Sequence, residues 1–178
     1  TAFALLGGSL YVASHTEVWW QLLLSAVLFS YVANTVFAFL HESVHRVYSL
    51  RPWLNESMGI LNGALFPTGL TFQRVCHLGH HLRNRTDHEM FDMYYPTDSH
   101  VLRTLQWYSI LCGLFWPIIP LGALLFAIYP PLYRLKSFAH ERSSSYLLGD
   151  IHDANVGRIR LEVLLNIAFF ALLFWLLG

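Results

Sequence analysis

Val18 to Leu40 carries no charged residue. As a helix rising about 1.5 Å per residue it would reach roughly 35 Å, enough to cross a hydrocarbon core, so the pattern predicts a transmembrane helix. Thr1 to Ser14 is also uncharged but short, and it begins without an initiator Met; it reads as the remainder of a preceding span. With no basic n-region and no small-residue cleavage pattern, a signal peptide does not fit. Ser57 to Gln73 is uncharged but holds Gly59, Gly63, Pro67 and Gly69. Such a stretch predicts an interfacial or re-entrant segment whose irregular backbone is covered by protein, with Gly59-x-x-x-Gly63 marking a bend. Thr104 to Tyr133 is a longer uncharged run interrupted by Trp116-Pro117-Ile118-Ile119-Pro120; two prolines argue against one unbroken helix and for a shallow hairpin. Leu161 to Gly178 starts another span, and the sequence ends inside it. The expected fold is all-α: a polytopic integral membrane protein with one domain over 1–178. Its spans fall at about 1–14, 18–40 and 161–178, with a hairpin over 104–133, and both ends read as truncated.

Composition supports that class, since 55% of residues are hydrophobic and only 12% charged, with 13 Phe, 9 Tyr and 6 Trp. Every Lys or Arg falls within 46–103 or 134–160, and the connection His15-Thr16-Glu17 has none. The positive-inside rule therefore puts that connection outside and both basic segments in the cytoplasm. A single span over 104–133 would instead send Arg134, Lys136, Arg142, Arg158 and Arg160 outside, which again favours the hairpin. Trp19, Trp20, Trp53, Trp107 and Trp175 lie near expected span ends, where indole rings favour the interface. The formal net charge is zero and there is no basic tail, so nucleic acid is not an expected partner. Cys76 and Cys112 do not form a disulfide framework and read as small buried hydrophobes.

The chemistry gathers in two clusters, His41-Glu42-Ser43-Val44-His45 and His77-Leu78-Gly79-His80-His81. On a helix, residues four apart share a face, so His41 and His45 can aim at one point, and His77, His80 and His81 at another. Five neutral imidazoles point to metal. Imidazole suits Zn, Cu, Fe and Ni alike, but five ligands exceed one tetrahedral zinc site and fit more than one ion or a higher coordination number. His-Glu-Ser-Val-His also matches a zinc metalloprotease pattern, with Glu42 as the residue that activates water. That reading needs a third ligand from a distant acidic motif, for which Leu148-Gly149-Asp150 is the nearest approach, and it leaves the second cluster without a role. His15 reads as interfacial and His88 and His100 as surface residues. His140 and His152 lack a partner histidine at helical spacing.

These two boxes, with a hydrophobic stretch between them and spans on either side, resemble the membrane fatty acid desaturase superfamily, whose desaturases, hydroxylases and ketolases hold two irons with histidine boxes. The stretch Leu82-Arg83-Asn84-Arg85-Thr86-Asp87-His88-Glu89 looks like the polar, acidic continuation found in bacterial members. The resemblance covers about 41–95 well and extends more loosely to the last span. It implies that His41, His45, His77, His80 and His81 ligate two iron ions, with zinc as the alternative metal. Dioxygen would be co-substrate, and the reaction desaturation or hydroxylation of a fatty acyl lipid or other long apolar molecule. Electrons would come from a carrier such as ferredoxin, rubredoxin or a cytochrome b5-like protein. It further implies a desaturase-like fold in a bacterial inner membrane, with interfacial helices carrying the boxes on the cytoplasmic side, and Glu42, Asp87, Glu89 and Asp92 as candidates for orienting the imidazoles. Family members carry a third box, His-x-x-His-His, after the last span. Nothing in 1–178 matches it, so the chain is expected to be a fragment, or else a non-catalytic desaturase-like subunit of a larger membrane complex.

Overall fold

The computed structural model describes residues 1–83, 96, 99–114, 117–134 and 150–177. The regular elements among the described residues are all helical. They are α1 (Ala2–His15), α2 (Trp19–Val44), α3 (Pro52–Leu65), α4 (Leu70–Arg83), α5 (His100–Leu111), α6 (Ile118–Ile128) and α7 (Val156–Leu177), with 3-10 turns at Pro130–Arg134 and Ile151–Asp153. By length and composition α2, of 26 residues, and α7, of 22, are candidate membrane spans, while α1 and α6 are shorter apolar helices.

The chain divides into two compact units, 1–66 with 164–178, and 67–163, so that α7 starts in the second and continues in the first. In the first unit α1 packs on α2 across the short connection 16–18, and α2 packs on α3. Val32 and Val36 lie one turn apart on α2 and are buried against Leu6, Phe29, Ala33, Leu65 and Phe66. Phe37 meets Phe66 edge to face, ring centroids 5.4 Å apart. Elsewhere α2 exposes Trp19, Leu22, Leu23, Leu24 and Tyr31. A helix apolar on all sides yet uncovered by protein suits hydrocarbon better than water.

Helix α2 runs four residues beyond the Leu40 boundary that its apolar run predicts, because neither His41 nor Glu42 obstructs a helical backbone. The first histidine cluster therefore sits on the last turn of a long helix, not on a separate interfacial one. The helix closes just after it, where the Arg46 N–H bonds the Ser43 carbonyl at 3.2 Å and the Val47 N–H bonds the Glu42 carbonyl at 3.0 Å. This is the Schellman pattern, and it puts Arg46 at φ 63°, a conformation that usually goes to glycine.

Residues 57–73 also depart from expectation. They belong to two 14-residue helices, α3 and α4, instead of one irregular segment. Gly59 and Gly63 lie inside the continuous α3 on its buried face, so they serve close packing and make no bend. The break between the two helices falls at 66–69, where Gly69 has φ +67°.

In the second unit Phe72 of α4, Ala123, Phe126 and Ala127 of α6, Tyr133, Ile151, and Ile159 of α7 form one buried cluster. The Tyr133 hydroxyl donates to the Gly122 carbonyl at 2.6 Å. Arg160 Nε donates to the Ala127 carbonyl at 2.7 Å, serving one of the carbonyls left over at the end of α6.

Arg46→Gly removes a left-handed penalty of about 1–2 kcal/mol while adding about 0.5–1 kcal/mol of unfolded-state entropy. The expected net stabilisation is about 0.5–1 kcal/mol, a rise of about 1–3 °C in melting midpoint measured by scanning fluorimetry in detergent. A lower midpoint would contradict the left-handed closure at Arg46.

Candidate metal centre

The first histidine pair is a product of helix geometry and of how α2 ends. The His41 and His45 rings lie with centroids 4.7 Å apart, and each offers a nitrogen within 4.8 Å of the other's. Between them Ser43 and Val44 are buried, and the Ser43 hydroxyl bonds back to the Phe39 carbonyl at 2.8 Å. Asn55 of α3, itself buried, donates its Nδ2 to the Ser43 carbonyl at 2.9 Å. A carbonyl of the last turn, flanked by the two histidines, thus takes a side chain from another helix as a second donor beside the Arg46 N–H. The C-terminal end of a helix carries partial negative charge, so a cation held here gains from the α2 dipole. Glu42 Oε1 stands 3.9 Å from His41 Nδ1, within ion-pair reach but beyond hydrogen-bond distance.

The second group lies on α4. His77 Nε2 and His81 Nε2 are 3.0 Å apart with their rings at 89°, and His80 stacks its centroid 5.9 Å from His77 and 5.5 Å from His81. Phe72, Val75 and Cys76 turn a different side of α4 toward the core of the second unit. Burial pushes the Cys76 thiol up to about 12, so it stays protonated at neutral pH.

Both ends of α4 are tied within the second unit. At its start, Glu162 of α7 accepts the Thr71 N–H on Oε2 at 2.7 Å and the Thr71 hydroxyl on Oε1 at 2.7 Å, and Arg158 Nε donates to Oε1 at 3.0 Å. Glu162 is only 2% exposed. A β-carbon on Gly69 would stand 2.9 Å from Glu162 Oε2 and 3.1 Å from its Cβ, so this position excludes a side chain by crowding as well as by its positive φ. At the far end, Arg83 Nη2 donates to both carboxylate oxygens of Asp150 at 3.0 Å.

Of the residues singled out from sequence, His41 and His45 are brought together in the first unit, and His77, His80 and His81 in the second. His15 stacks on Tyr11 with centroids 4.2 Å apart and bonds its carbonyl at 2.9 Å. His100 is exposed at the start of α5. Asp87, His88, Glu89, Asp92, His140 and the segment 148–149 lie outside the described residues, as does the His152 side chain. Glu162 and Asn55 escape the sequence pattern, and Gly69 stands in it only as one of several glycines in an irregular stretch. Glu162 did leave a signal, being the one charged residue in Leu161–Gly178, and an ionisable group in an apolar span is expected to have a specific partner.

The donor set fits a metal of the imidazole-binding class: each pair sits at i, i+4 with its nitrogens close enough to share an ion. A family model described as "Fatty acid desaturase" matches residues 17–178. Comparison with curated proteins gave no match, and neither did comparison with solved structures.

The two cysteines provide a check on the packing of α4. With a thiol pushed up to about 12, Cys76 is about one thousandth thiolate at pH 9, whereas Cys112 is exposed. Iodoacetamide at pH 8–9 should alkylate Cys112 and spare Cys76 until the protein is denatured. Rapid labelling of native Cys76, read by peptide mass spectrometry, would contradict that packing.

Proposed function

The chain belongs to the fatty acid desaturase family, and from this we propose that it is a membrane-bound non-haem di-iron oxidoreductase that desaturates or hydroxylates a fatty acyl lipid or another long apolar substrate. The observation that carries the proposal is the pair of histidine groups, each set at i, i+4 on a helix that is held at one end by a buried side chain. His41 and His45 from α2, with His77, His80 and His81 from α4, would hold the irons. When bound, the irons supply the redox chemistry by which dioxygen is activated toward an unactivated C–H bond.

The chain's own residues have simpler tasks. The imidazoles stay neutral to ligate, and the negative end of α2 favours the cations beside His41 and His45. We place α2 and α7 across a bacterial inner membrane with the histidines at the cytoplasmic face. A long apolar substrate would then reach the site from within the bilayer, and a soluble or membrane-anchored electron carrier, such as ferredoxin, rubredoxin or a cytochrome b5-like protein, would approach from the cytoplasm.

The test is elemental analysis of the full-length protein purified in detergent, together with product analysis on lipid extracts after supply of reductant and oxygen. About two irons per chain are expected, with His41→Ala or His81→Ala lowering iron by about half or more and product formation to background. Wild-type iron and product in both variants would overturn the proposal. Zinc in place of iron, with Glu42→Gln abolishing peptide cleavage while metal is retained, would establish a hydrolase instead.

A further inference from the structure

We propose that Glu162 is the positioning residue of the α4 histidines: by gripping Thr71 at two atoms it sets the rotation and rise of α4, and through them where His77, His80 and His81 present their nitrogens. The inference rests on the reading that these histidines ligate metal.

Three features of Glu162 go beyond what capping a helix requires. Its two oxygens take different jobs, Oε2 accepting the Thr71 backbone N–H and Oε1 the Thr71 hydroxyl, both at 2.7 Å. One bond would fix a distance, whereas two bonds to different atoms of the same residue also restrict the angle about the helix axis. The residue is 2% exposed within an apolar helix, an expensive place for a carboxylate. A neutral side chain could bond the Thr71 N–H more cheaply, so the charge and its partner Arg158 indicate a hold that must not slip. Gly69 adds the third feature: its missing side chain admits the carboxylate to the α4 start, and a β-carbon there would meet Glu162 at 2.9 and 3.1 Å.

Leverage decides why this matters for the histidines. Thr71 precedes His77 and His81 by six and ten residues, or about 9 and 15 Å along the axis. Side-chain ends lie about 5–6 Å from a helix axis, so turning α4 by 10° moves each imidazole by about 1 Å. Metal–ligand distances tolerate only about 0.2 Å. A rotamer change can absorb such a shift at one histidine, but His77, His80 and His81 would have to absorb it together, already with His77 and His81 Nε2 3.0 Å apart. Arg83 and Asp150 secure the other end of the helix, leaving the Glu162 contact to set its start.

The experiment uses full-length protein in detergent with Cu²⁺ as the probe, following affinity by titration and ligand geometry by the nitrogen couplings and g-values of its electron paramagnetic resonance spectrum. His81→Ala marks loss of the pair. Glu162→Ala is expected to weaken Cu²⁺ binding about tenfold or more and change the spectrum while helicity and elution volume stay those of wild type. Glu162→Gln, which can still accept from Thr71, should recover part of the affinity. Gly69→Ala, which leaves all ligands and Glu162 in place but pushes on the carboxylate, should reproduce the altered spectrum, and it keeps the test alive if Glu162→Ala fails to fold. Wild-type affinity and spectrum in folded Glu162→Ala and Gly69→Ala, with His81→Ala impaired, would overturn the role of Glu162 alone. If His81→Ala also binds as wild type does, the metal reading of α4 falls and the inference with it.

Discussion

A helix in apolar surroundings satisfies its own backbone except at its ends, and there a partner has to be brought to it. Both histidine-bearing helices meet this demand with a buried side chain from another helix of the same unit. Asn55 of α3 serves the Ser43 carbonyl in the last turn of α2, and Glu162 of α7 serves the Thr71 N–H at the start of α4. Leaving the Thr71 N–H unmet in a buried site would cost about 1–3 kcal/mol, and more in hydrocarbon, whereas at Ser43 the Asn55 amide adds a second bond beside that of the Arg46 N–H. These bonds are therefore constraints, and the histidines inherit their geometry from them. His41 and His45 flank the carbonyl that Asn55 holds, and the α4 histidines follow the carboxylate contact by two to three turns.

The two ties differ in character. At the end of α2 the partner is a neutral amide, and the partial negative charge of the helix terminus stays available to a cation beside His41 and His45. At the start of α4 the partner is a carboxylate, which meets the positive end of that helix and is itself neutralised by Arg158. One helix end is thus held by a neutral group and the other by a charged, paired one.

The parts of this arrangement legible in the sequence are those made by residues near one another along the chain. Four-residue spacing alone put His41 beside His45 and His77 beside His81, because helical periodicity is local. The apolar runs located α2 and α7 for the same reason, but not their bounds. Hydropathy drops after Leu40, whereas the helix stops only where its backbone closes at Arg46. Glycines in one stretch differ in role: Gly59 and Gly63 are small residues on the packed face of α3, whereas Gly69 takes the positive φ between α3 and α4. The Glu162 contact with Thr71 joins residues 91 positions apart. A lone charge in an apolar run announces that a partner exists, but which residue it meets depends on how α4, α6 and the start of α7 pack around Phe72 and Phe126.

The spacing of the histidine pairs has a consequence for how a chain of this kind can diverge. An α-helix advances 100° per residue, so three intervening positions are a count before they are a chemistry. Glu42, Ser43 and Val44 can be exchanged for other helix-compatible residues without moving His41 off the face of His45. One residue added or lost among them would swing the second imidazole by more than a quarter turn. Between His41 and His45 the chain encodes a length, and variation there is expected to enter by substitution and not by insertion.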